Sequence, residues 1–90
     1  LTKDERAKAP LIYQTLTQLQ SAIVAGQRDY AALASAAHEH LLKCGFKPDY
    51  IEIRTAELDI ADESHADLVI LIAATLGKTR LIDNIAFSLS

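Results

Sequence analysis

Hydrophobic positions along this chain keep two different rhythms. Ile12, Leu16, Leu19 and Ile23 recur at the three- and four-residue spacing of one helix face. Tyr30, Leu33, Ala37 and Leu41 repeat that spacing. After Pro48-Asp49 the period falls to two. Ile51 and Ile53 point one way, and Tyr50, Glu52 and Arg54 the other, as in a strand with one wet face. Leu68 to Ala74 is apolar throughout, which predicts a central strand covered by helices on one face and partly on the other. Arg80 to Phe87 alternates again. Leu81, Asp83, Ile85 and Phe87 share one face; Ile82, Asn84 and Ala86 share the other.

The punctuation fits these elements. Thr2-Lys3-Asp4-Glu5 has the spacing of a capping box, so a helix begins near Lys3. Pro10 lacks an N–H, and Ala9 before it resists the helical region. One short turn is therefore expected, then a main helix from about Pro10 to Ala25 with Gly26 at its left-handed C′ position. Asp29 caps a second helix from Tyr30 to about Cys44, ended by Gly45. The short link Gln27-Arg28 makes the pair a tight helical hairpin. Ala56 to Asp67 reads as a polar, irregular connector with at most one helical turn. Leu76 to Arg80 reads as a hairpin turn in which Gly77 supplies the permissive φ. Helices first and strands afterwards predict an α+β fold, an N-terminal helical hairpin packed on a small, mainly antiparallel three-stranded sheet. Residues 1–90 are read as a single domain.

Composition narrows the function classes. Half of the 90 residues are hydrophobic, with three Gly and two Pro, which is globular rather than disordered. Nine basic against twelve acidic residues give a net charge of −3, which argues against a nucleic-acid partner. No run reaches the roughly 18 apolar residues of a membrane span. A single cysteine, Cys44, fits a reducing cytoplasm. The chain opens on Leu1 and contains no methionine, which reads as a piece of a longer protein.

Candidate chemistry is sparse. Gly77-Lys78-Thr79 looks like the end of a phosphate-binding loop, but the first glycine of that motif would fall on Ile72. The triplet also joins strand to strand, so no helix N-terminus offers amides to a phosphate. His38 and His40 are two apart and diverge on a helix. His40 and Cys44 can share a face but make only two ligands, so no metal is expected. Asp59, Asp62, Glu63 and Asp67 gather around His65, where solvated turn and cap residues are the plainer reading. Asp83 and Asn84 interrupt an apolar strand, as a strand end in water would, or as a docking surface for a neighbouring domain.

Three segments carry a resemblance. Leu1-Thr2 with Glu5-Arg6 and Ala9-Pro10, then Ala25-Gly26-Gln27-Arg28-Asp29, then Ala73-Ala74 running on into Leu76-Gly77-Lys78-Thr79-Arg80-Leu81-Ile82-Asp83-Asn84, resemble the C-terminal domain of the pantothenate synthetase (pantoate–β-alanine ligase) family over essentially the whole chain. The connector after Thr55 is about one residue shorter than in that family. The resemblance implies an ATP- and Mg2+-dependent enzyme that forms pantoyl adenylate and pyrophosphate, then lets β-alanine displace AMP. Its H-x-G-H and K-x-S-S-R-N elements belong to an N-terminal domain and do not occur here. It further implies a lid that closes on that domain, a cytoplasmic homodimeric parent, and no cofactor or catalytic residue on this piece. Lys78 and Arg80 become candidates to face the nucleotide, and Asp83 and Asn84 candidates for the interdomain surface. The competing expectation is a free-standing interaction module that binds through a sheet edge or the Tyr50, Glu52, Arg54 face. A severed domain should instead expose an apolar patch, expected near Ile85 and Phe87.

Overall fold

The computed structural model describes residues 3–55 and 67–89. Three helices precede three strands: α1 (Lys3–Lys8), α2 (Pro10–Val24), α3 (Tyr30–Lys43), β1 (Lys47–Thr55), β2 (Asp67–Leu76) and β3 (Thr79–Ser88). The strands form one antiparallel sheet in the order β1-β2-β3. This is the expected α+β arrangement. Thr2 of the predicted capping box and the 56–66 connector, with its acids and His65, lie outside the described residues.

The junction of α1 and α2 corrects one expectation. Ala9 does not leave the helical region before Pro10; it sits at φ −52° and ψ −40°. Its N–H donates to the Glu5 carbonyl at 2.9 Å, so α1 closes its last bond. Pro10 then falls at the start of α2, where a missing N–H costs nothing. The steric bias before proline is a preference, and a satisfied backbone on both sides outweighs it.

The loop between α2 and α3 is held by charge at both helix ends. The Arg28 guanidinium donates to the carbonyls of Ile23 and Gln27 at the C-terminal end of α2, where the partial negative charge of the helix favours a cation; the Ile23 carbonyl also accepts the Gly26 N–H. Next door, the Asp29 carboxylate accepts the Ala32 N–H at 3.1 Å and caps α3.

One face of the sheet carries the core. Leu68, Ile70, Ile72, Ala74 and Leu76 of β2 pack with Ile12, Leu16, Leu19 and Ile23 of α2 and with Ala37 and Leu41 of α3. Ile51, Leu81, Ile85 and Phe87 complete it from the flanking strands. Ile85 and Phe87 therefore turn towards the helices, and the patch expected around them is not there. The exposed large apolar side chain of β3 is Ile82, on the opposite face. Phe46, 1% exposed between α3 and β1, is a core residue that the helical and strand rhythms do not mark.

Candidate functional site

The β2–β3 turn collects the candidate cations. Leu76 pairs with Thr79, so Gly77 and Lys78 are a two-residue hairpin loop. Gly77 has φ 63°, the positive value that such tight hairpins need at their first residue. A strand follows the Gly77-Lys78-Thr79 triplet, as the sequence requires of a hairpin and not of a phosphate-binding loop. Lys78 is exposed at the tip.

Arg80 is engaged. Its Nε donates to Asp49 Oδ2 at 2.8 Å, with both side chains roughly half exposed. Arg80 stands opposite Thr75 of β2, and Thr75 opposite Lys47 of β1, so the arginine reaches across the central strand to its partner. Asp49 is available because the register slips between Pro48 and Tyr50, leaving it as the extra residue of a bulge. The hydrogen bond to Asp49 raises the Arg80 pKa, desolvation opposes it, and the Asp49 charge adds to it. Arg80 is thus a permanent cation carrying its own counter-ion. Water screens the pair, so its part is orientation more than stability.

Glu5 approaches the same turn from α1. A Cβ placed on Gly77 would overlap the Glu5 carboxylate, so the acid lies directly on the glycine backbone. Further along α1, the Lys8 ammonium lies 3.3 Å from where a Cβ on Gly45 would stand, beyond the C-terminus of α3. The sequence marks Glu5 as a capping-box residue and Asp49 as punctuation, and neither as a partner of this turn. The signal for Asp49 is the odd residue between Phe46 and Ile51 that breaks strict alternation.

Asp83 and Asn84 part company. Asp83 lies between Leu81 and Ile85 on the helix side, half-buried opposite Ile72, and its carboxylate accepts the Asn84 N–H at 2.8 Å. Asn84 is exposed on the face that carries no helix among the described residues. There it stands in register with Leu71 and Glu52, beside the row of Ile82, Ala73 and Tyr50. Glu52 and Arg54 pair at 3.0 Å on that face and, with Tyr50 and Leu71, line a shallow groove. His40 Nε2 and Cys44 Sγ are 3.9 Å apart, and no group of three possible metal ligands exists among the described residues. No helix among them is long and apolar enough to cross a membrane.

Comparison with known proteins decides the family. The model of the pantoate-beta-alanine ligase family matches residues 1–86. The chain belongs to the pantoate-beta-alanine ligase family. Pantothenate synthetase of Chromobacterium violaceum is 49% identical over 86 residues, which is 94% of this chain and 31% of that protein. That of Stutzerimonas stutzeri is 49% identical over 90 residues, 99% of this chain and 32% of its own length. A crystal structure of the Thermus thermophilus pantothenate synthetase superposes with a TM-score of 0.82 at 29% identity, again over 94% of this chain and 31% of that one. The chain thus spans about a third of the length of the relatives it matches. Within this ligase family segment, the Ala25 to Asp29 stretch serves as a double helix cap, and Leu76 to Asn84 forms the turn with its cations.

Proposed function

We propose that this chain is the lid of an ATP- and Mg2+-dependent ligase that joins pantoate to β-alanine. The observation that carries the reading is the family match over residues 1–86 together with two cations, Lys78 and Arg80, on one exposed turn. In the longer enzyme a second, N-terminal domain binds ATP and pantoate, forms pantoyl adenylate and releases pyrophosphate. An acyl adenylate is lost to water unless the site is closed until the amine arrives. Closure of this domain supplies that exclusion, and the 76–80 turn brings positive charge to the nucleotide. β-Alanine then attacks the acyl carbon, and AMP leaves. The sheet face away from α2 and α3, with Asn84 and exposed Ile82, is the interdomain surface; Asp83 supports it from beneath through the Asn84 backbone. The parent is a cytoplasmic homodimer assembled through its other domain, and the 90-residue chain alone is inactive.

The assay is AMP release from ATP with pantoate and β-alanine. The longer ligase carrying this segment releases AMP, and this chain alone does not. Replacing Lys78 and Arg80 together by Gln in the longer ligase raises KM for ATP or lowers kcat. Unchanged kinetics would remove the turn from the reaction. No AMP from a folded longer protein would overturn the ligase reading and favour an interaction module working through the same face away from α2 and α3.

A further inference from the structure

The turn that carries Lys78 and Arg80 does not hold its place by hairpin pairing alone. Glu5, on a six-residue helix at the other end of the chain, lays its carboxylate on the backbone of Gly77. A helix that short has little stability of its own, so its position depends on what it touches. Its touching side chains are oppositely charged and land on two chain reversals. Glu5 meets the β2–β3 turn, and Lys8 stands beside Gly45 at the end of α3. A cation there is favourable, because the last carbonyls of a helix carry partial negative charge. A side chain on Gly77 would occupy the space that the Glu5 carboxylate fills.

We propose that Glu5 is a positioning residue: its carboxylate clips the 76–80 turn to α1 and so fixes where Lys78 and Arg80 are presented. The local consequence stands without any catalytic assumption; the functional consequence rests on the lid reading given above. Asp49 holds Arg80 from the β1 side, and Glu5 holds the turn backbone from the α1 side. The two acids orient a basic loop from opposite flanks, and movement of α1 carries the loop with it.

Amide hydrogen exchange on the 90-residue chain tests the local claim. Glu5→Ala accelerates exchange at Gly77, Lys78 and Thr79 by about tenfold, while Ile70 and Ile72 in the central strand keep their rates. Glu5→Gln, which retains an oxygen at the same reach, restores most of the protection. A double-mutant cycle gives a second reading. The drop in thermal midpoint caused by Gly77→Ala shrinks when Glu5 is already alanine, because one of its two costs, the displaced carboxylate, is gone. Unchanged turn exchange in Glu5→Ala, or strict additivity of the cycle, overturns the proposal.

In the longer ligase, Glu5→Ala raises KM for ATP as Lys78→Gln does and leaves kcat in place. A raised KM in Lys78→Gln with none in Glu5→Ala refutes the clip as a functional device. Failure of the lid reading looks different: neither variant moves KM, while the exchange pattern and the cycle still report the clip.

Discussion

Single side chains in this protein are set by whether their polar atoms find partners. The Tyr30 ring packs against the core at the start of α3, but its hydroxyl is buried with no hydrogen-bond partner among the described residues. A stranded donor of this kind costs about 1–3 kcal/mol. Tyr30→Phe is therefore expected to raise unfolding stability by about 1 kcal/mol, read from the urea midpoint at unchanged slope. Thr15 makes the contrast. It is deeper in the core than the half-buried Tyr30, yet its hydroxyl donates to the Leu11 carbonyl at 2.7 Å and is satisfied within its own helix. Leu16 is fully buried between helix and sheet, and Leu16→Ala should cost about 3–4 kcal/mol through lost contacts and the cavity left behind.

At the scale of elements, the stretch from Ala25 to Asp29 does its work through two opposite charges. Asp29→Ala removes the cap of α3 and should cost about 1 kcal/mol, with a matching loss of helical circular dichroism near the thermal midpoint. Arg28→Ala should destabilise through α2 alone, and the two losses should nearly add, because each residue serves a different helix. This link was legible in the sequence, since caps and glycine stops are local chemistry. So were the helix faces and the alternation of β3, whose set Leu81, Asp83, Ile85 and Phe87 does share one face; that this face turns towards the helices was not. What the sequence hid depends on neighbours distant along the chain. The Arg80–Asp49 pair joins residues 31 apart and needs a bulge in β1 to form. The Glu5 contact needs α1 folded back on a turn near the far end of the chain, and no periodicity encodes that.

For the molecule as a whole, the sheet has two unlike faces: one sealed by α2 and α3, the other carrying Ile82 at 59% exposure beside buried Val69 and Ala73. Ile82→Glu should leave the thermal midpoint of this chain almost unchanged, because the side chain is already in water. In the longer ligase the same change should lower kcat or raise KM if the Ile82 face docks there; identical kinetics would take that face out of the interdomain surface. The order of the elements bears on how the chain finds this structure. α2, near the beginning, packs on β2 and β3, near the end, while α3 between them packs on β1. During synthesis α2 is therefore made long before the surface that buries Ile12, Leu16, Leu19 and Ile23 exists. Until then its apolar stripe has no sheet to cover it, and the closing of that long loop is expected to be slower than the local pairing of the β2–β3 hairpin.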